Sequence, residues 1–236
     1  MAYTKRFDGR GFDEIRKMEA KVGVIENATG SAYFAFGDTK AIAAVYGPRT
    51  LYPQHRQDPT QGVLRCIYDM LSFSVAERKR PGPSRRSVEI SMVTEKALIP
   101  TLQLKKFPSS VVDVFIMIME ANAGTRTAGI NAASLALAHS GVPMLDLVAS
   151  VSVGKIGNKL CVDLIKEEED YSENGEKSAT DIPVAMLPRF NKFSLLQLDG
   201  KISKEEFNTA LKMSRDACHK IYEVQKKALL QTYKEK

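Results

Sequence analysis

The chain has 236 residues, 44% of them apolar, enough for a packed core in one large domain or two small ones. Its 34 Lys and Arg exceed 28 Asp and Glu, and the net charge of +6 favours polyanionic partners such as nucleic acid. Cys66, Cys161 and Cys218 stand far apart with no CxxC pair, which excludes a disulfide frame or thiolate zinc site; Met1–Asp8 has no apolar signal segment, and no run approaches the roughly 18 apolar residues that cross a membrane, so a soluble cytoplasmic protein is expected.

Residues 17–25 alternate through Met18, Ala20, Val22 and Val24 as a half-buried strand does, and Asn27-Ala28-Thr29-Gly30 turns the chain. Residues 31–36 and 40–46 pair across Gly37-Asp38-Thr39. Pro48 and Pro53 open a polar surface loop, Gln54 to Pro59, that carries His55 and Arg56. A strand around Val63–Ser72 leads to the charged segment Glu77-Arg78-Lys79-Arg80-Pro81-Gly82-Pro83. Residues 84–103 are expected to be helical, with Val88, Met92, Ile99 and Leu102 apolar and Pro100 interrupting the end.

The run 112–119 is nearly all apolar and rich in β-formers, as in a strand buried on both faces. A helix follows over 127–140 and stops at Gly141, with Pro143 behind it, and 145–153 is the next strand. Strand, helix and strand of these lengths predict a βαβ unit. Residues 159–165 read as a further strand, 167–180 as an acidic loop, and 183–188 and 193–199 as extended. The tail is a long helix that opens on the capping-box pattern Ser203-Lys204-Glu205-Glu206. Its stripe of Phe207, Leu211, Ser214, Ala217, Cys218, Ile221, Val224 and Ala228 is expected to face the core.

Three constellations carry chemistry. Gly124-Thr125-Arg126-Thr127 lies where the buried strand turns into the small-residue helix. Helix N-termini attract anions and Arg grips two phosphate oxygens at once, so this turn suits a phosphate. Gly124 frees the backbone for close approach, while Thr125 and Thr127 add hydroxyls and cap the helix; the alternative is a capped helix bearing a surface Arg. Asp170 and Asp181 follow in or beside the acidic loop. Two carboxylates can hold Mg²⁺ through oxygen, and a protonated carboxyl or a metal-bound water can supply a proton to a departing ribose oxygen; the alternative is a solvated acidic run. Arg85 and Arg86, beside Arg78, Lys79 and Arg80, suit a phosphodiester backbone or form a charged surface loop, and His55 with Arg56 is a weaker pair of the same kind. No GxSxG, Walker or HExxH motif is present.

Together these residues resemble a known family. Gly124 to Ser134 is similar to the phosphate-binding signature of the RNase PH family of phosphorolytic exoribonucleases, and Arg6-Phe7-Asp8-Gly9-Arg10 resembles its N-terminal element. Glu77 to Ser87 resembles the catalytic RNase PH-type subunit of the archaeal exosome more than bacterial RNase PH. The resemblance runs from Arg6 to about Tyr233 and implies one α+β domain over 1–236. That domain would have two βαβ-containing halves, about 6–150 and 151–233, and a long C-terminal helix.

It implies a six-membered ring in which this chain alternates with a non-catalytic paralogue beneath RNA-binding cap subunits. Single-stranded RNA would be shortened from its 3′ end by inorganic phosphate, reversibly. Arg126 and the Gly124–Thr127 backbone would then bind phosphate, Asp170 and Asp181 would act as acid and Mg²⁺ ligands, and Arg85 and Arg86 would hold RNA, with His55 and Arg56 facing the pore. A non-catalytic ring subunit and a free-standing enzyme that trims transfer RNA remain as alternatives. The chain departs from the family pattern at Asn122 and Ala123, where an Asp and two Gly are usual. It departs again in the spacing of Asp170 and Asp181, which makes 172–178 an insertion. Counted without a gap, Glu169 takes the first acidic position; by residue type Asp170 does, and on a strand the two would face opposite ways.

Overall fold

Alternating apolar positions build the first sheet of the computed structural model, which describes residues 3–173, 176–177 and 179–234. Strands β1 (Met18–Val22), β2 (Gly30–Phe36) and β3 (Thr39–Thr50) run antiparallel, with the expected turn at Gly37–Asp38. Strand β4 (Val63–Met70) pairs parallel with β5 (Ser110–Glu120), giving the order β1-β2-β3-β5-β4. The parallel pair needs a crossover, and α1 (Arg85–Leu98) supplies it. Ser84 caps α1 by accepting a hydrogen bond from the Ser87 N–H at 3.1 Å. Beyond Leu98 the chain tightens into a single 3₁₀ turn at Ile99–Thr101 around Pro100.

Helix α2 (Thr125–His139) follows β5 and is buried along almost its whole length. Its small residues allow close packing: a Cβ on Gly129 would stand only 3.0 Å from Ile116 Cγ2 of β5. The second sheet holds β6 (Ala149–Ile156), β7 (Lys159–Val162), β10 (Ala179–Leu187) and β11 (Lys192–Leu196) in the order β11-β10-β6-β7. Between β7 and β10 lie the single-turn α3 (Lys166–Glu169) and the short antiparallel pair β8 (Ser172–Glu173) and β9 (Glu176–Lys177). Of the expected insertion at 172–178, residues 174, 175 and 178 lie outside the described residues. Helix α4 (Lys204–Lys234) closes the chain, and its capping box forms: the Ser203 N–H donates to Glu206 Oε2 at 3.0 Å and the Glu206 N–H to Ser203 Oγ at 3.3 Å. No helix among the described residues is long and apolar enough to cross a membrane.

The α+β architecture and the long C-terminal helix are as expected, but the crossover unit is elsewhere. Strand β5 belongs to the first sheet and β6 to the second, so residues 112–153 are not a βαβ unit; β4-α1-β5 is. The pairings of the second sheet are all antiparallel, so the second half carries no such unit among its described residues. Helix α2 explains the change. A helix apolar on every side is satisfied by two sheets at once, and it packs against β2, β3 and β5 on one side and β6 and β10 on the other. Buried amides fix that arrangement. Asn131 of α2 exchanges two hydrogen bonds with the Ser150 backbone at 2.7 and 2.9 Å, and Gln225 of α4 donates to Asn131 Oδ1 and to the Val148 carbonyl. The three cysteines are buried and free, and burial pushes the Cys161 thiol up to about 12.

Candidate active site

The phosphate turn lies beyond the carboxyl end of β5. Ala123 and Gly124 both adopt left-handed backbone, at φ 58° and 64°, and aim the start of α2 back across the sheet. A glycine at 123 is the easier residue for that conformation, which gives a conformational reason for the family's glycine pair there. Thr39 pins the turn: its hydroxyl donates to the Ala123 carbonyl at 2.7 Å and accepts from the Asn122 N–H at 3.0 Å. The expectation that Thr125 and Thr127 cap α2 is not met. No side chain caps this end, and the buried Thr127 hydroxyl donates to the Gly124 carbonyl at 2.8 Å. A helix start without a side-chain cap leaves its N–H dipoles for an anion. Arg126, on the first turn, donates to Gln197 and pairs with Glu89 at 3.2 Å, while Gln197 Nε2 also donates to Glu89 at 3.2 Å.

The acidic segment is not a strand. Residues 166–169 form the single turn α3, and Asp170 follows at its end. Asp170 is exposed and held by Lys166 at 2.9 Å across one helical turn. Glu169 is half-buried; burial raises its pKa above the ordinary carboxylate value, and the charge of Asp181 raises it further. Asp181 sits near the start of β10, where its backbone exchanges hydrogen bonds with Asp199 at 2.9 and 2.8 Å and its carboxylate accepts from the Ser152 hydroxyl. Asp181 and Glu169 are thus electrostatically coupled, while Asp170 stands at the rim.

These groups meet in a cleft of about 530 Å³ whose lining includes Arg86, Arg126, Glu169, Asp170 and Asp181. A second cleft of about 640 Å³ adjoins it, lined by Arg78, Lys79 and the turn 122–125, and the two share Arg86, Lys166 and Glu169. Arg85 is exposed and lines neither cleft, because consecutive residues at the start of α1 point about 100° apart. His55 and Arg56 are exposed on a 3₁₀ turn before β4. At ~3.3 Å per residue, the eight-residue β4 separates them from the clefts by roughly 25 Å.

Several residues that shape the site carry no local signal. Glu89 and Gln197 hold Arg126 from α1 and from the segment after β11. Arg6 is almost wholly buried and forms a two-pronged pair with Glu168, Nε at 2.9 Å and Nη2 at 2.8 Å. Removing one partner of such a buried pair costs roughly 3–5 kcal/mol, because the other charge is left uncompensated. The same Glu168 accepts from the Ile165 N–H at 3.1 Å, so the N-terminal element fastens α3 in place. The Arg6–Arg10 motif was visible in the sequence; its partner was not. Among the described residues no group of three or more His, Cys, Asp or Glu side chains gathers in a metal-holding arrangement. The donors fit a cation held by one or two carboxylates and completed by phosphate oxygens, the usual way Mg²⁺ binds.

Comparison with known proteins bears on the family and the fold. Models of domain 1 and domain 2 of the 3′ exoribonuclease family, RNase PH, match residues 14–143 and 146–217. The chain is 52% identical over 229 residues to "Exosome complex component Rrp41" of Thermococcus gammatolerans, covering 97% of this chain and 90% of that protein. It is 45% identical to the protein of the same name from Methanopyrus kandleri, over 97% of this chain and 93% of that one. Among solved structures, an Archaeoglobus fulgidus exosome with RNA bound to the active site matches at a TM-score of 0.77 and 26% identity, over 93% of this chain and 92% of that chain. Rice Rrp46 shares the fold at a TM-score of 0.84 and 20% identity, over 95% of this chain and 100% of that chain.

Proposed function

The chain belongs to the 3′ exoribonuclease family, RNase PH, and from that premise we propose that it is a phosphorolytic 3′→5′ exoribonuclease acting on single-stranded RNA. One observation carries the reading: a single cleft gathers Arg126 and Arg86 with Glu169 and Asp181, cations and carboxylates from both halves of the chain. Two anions must meet for phosphate to attack RNA, and fixed cations offset their repulsion. Arg126 and the N-terminus of α2 hold inorganic phosphate, and Arg86 holds the RNA backbone. A phosphate oxygen bonds to the terminal phosphorus, the bond to the preceding ribose O3′ breaks, and a nucleoside diphosphate leaves. The departing O3′ takes a proton from Glu169, whose burial in the cleft disfavours its charged form. Bound Mg²⁺ would offset the charge of Asp181 and of the phosphate oxygens. Asp181 is its natural ligand, with Asp170 at the rim. The reverse reaction adds 3′ tails.

The similarity to exosome components supports assembly as a ring with other RNase PH-type subunits; a non-catalytic paralogue alternating with this chain, cap subunits and a cytoplasmic location complete the proposal. RNA would then pass His55 and Arg56 before it reaches the cleft, since they lie at the opposite end of β4. A non-catalytic ring subunit has no need of the Arg126 and Asp181 present here. The test is decay of radiolabelled RNA by the assembled ring in Mg²⁺, with and without inorganic phosphate. Phosphate-dependent release of nucleoside diphosphates is expected, falling by about 10²–10³-fold in Arg126→Ala and Asp181→Ala, as for loss of one preorganised charge-stabilising group. RNA binding without phosphate-dependent decay in the complete ring would make this chain a scaffold.

A further inference from the structure

The phosphate turn and the acidic segment come from sheets that share no strand pairing, so their spacing must be set by side chains. Arg16, in the segment before β1, makes the connection. Its guanidinium grips the Asp163 carboxylate with Nε at 2.8 Å and Nη2 at 2.7 Å, and the Arg16 backbone N–H adds a third bond at 2.9 Å. From its other edge Nη1 donates to the Asn122 carbonyl at 2.6 Å and to Thr39 Oγ1 at 3.2 Å. A planar fork of donors can serve both sides at once, which an ammonium cannot. The Lys166 N–H, at the start of α3, donates to Asn122 Oδ1 at 3.0 Å and closes a second link across the same seam.

Both turns held by Arg16 are strained. Asp163 lies at φ 56° and Ala123 at φ 58°, non-glycine residues in the left-handed region. Such conformations persist only where the surroundings over-determine them, and they cluster at functional sites. Arg16 is 8% exposed and Asp163 2%, and a buried ion pair is weak evidence for stability as such. This one ends on Asn122, three residues before the start of α2, and on Asp163, six residues before Glu169.

We infer that Arg16 and Asp163 are positioning residues, which set the distance between phosphate bound at the 122–127 turn and the carboxylate of Glu169. Neither side chain touches a reacting atom; each acts through the segment it holds. The inference rests on the phosphorolytic reading above. Its test uses the assembled ring and Arg16→Lys, which keeps the charge opposite Asp163 but cannot reach both turns; Asp163→Asn is the second variant should the first fold poorly.

With rates normalised to folded protein, the KM for inorganic phosphate is expected to rise about tenfold while RNA affinity changes less than about twofold. Hydrogen exchange gives a readout without turnover. Inorganic phosphate should protect amides of 122–127 and 164–170 together in the wild type, and only those of 122–127 in Arg16→Lys. A variant whose KM for phosphate and coupled protection match the wild type, with activity lost only in proportion to folded protein, would overturn the inference. If the wild-type ring shows no phosphate-dependent decay, the phosphorolytic reading falls, and the exchange measurement alone decides the positioning role.

Discussion

The phosphate turn and the acidic segment do their work side by side but are specified in opposite ways. The turn is local: Ala123, Gly124, Thr125 and Arg126 are consecutive, and the strand before them and the helix after them are built by their own apolar patterns. The acidic segment is not. Four carboxylates stand in a row at 167–170, and how each is placed depends on α3, on Arg6 gripping Glu168, and on the seam at Asp163. A contiguous motif announces its own geometry; a carboxylate in a charged run acquires a role only from what the rest of the chain does to it.

The sharpest way to break this comparison is to neutralise the two neighbours separately. Glu169→Gln is expected to lower phosphorolysis about 100-fold, within the usual range for loss of a general acid. Asp170→Asn, at an exposed site paired only with Lys166, should cost less than about threefold, since surface ion pairs contribute little. Single-turnover rates at saturating phosphate decide it. The reverse ranking would return the acid role to Asp170.

A smaller effect separates the two arginines of α1. Arg86 lines both clefts and Arg85 neither. Arg86→Ala should weaken RNA binding by the ring about tenfold, roughly the 1.4 kcal/mol of one charge-assisted contact, and reduce its salt dependence. Arg85→Ala should stay within about twofold. Equal losses in a filter-binding salt titration would mean that RNA follows the exposed face of α1.

The smallest expected effect lies far from the site, where a local motif and a tertiary contact share one residue. Glu206 completes the capping box of α4 and also pairs with Lys155 of β6 at 2.8 Å. The Lys155 ammonium and the Ser203 N–H hold its carboxyl down at about 2, below the ordinary 4.5. A carboxylate whose folded pKa is depressed adds stability that is fully present above about 4.5 and is lost as the pH falls through about 2. Glu206→Gln should therefore lower Tm slightly at pH 7, and the difference should vanish towards pH 2. A difference independent of pH would show that the ionised carboxylate is not its cause.

Much of the fold was legible in the sequence because its elements are locally consistent. The hairpin of β2 and β3, the buried β5, the small-residue α2 and the capped α4 each follow from period, turn residues or caps within a short window. The sheet assignment was not legible. Strand, helix and strand over 112–153 has the spacing of a crossover, and nothing in the spacing says that α2 is shared by two sheets.

What the sequence by itself determined is therefore the turn that carries Arg126, Asp181 ahead of an apolar run, and the family to which their combination belongs. What only the tertiary structure brought into view is that half-buried Glu169 feels the charge of Asp181, that Arg86 and not Arg85 lines the cleft, and that Arg16 joins the two turns. The physical reason is range. Periodicity, capping and turn chemistry act over a few residues, whereas Arg16 meets Asp163 147 positions away. Only the packing of two sheets around α2 brings such partners together.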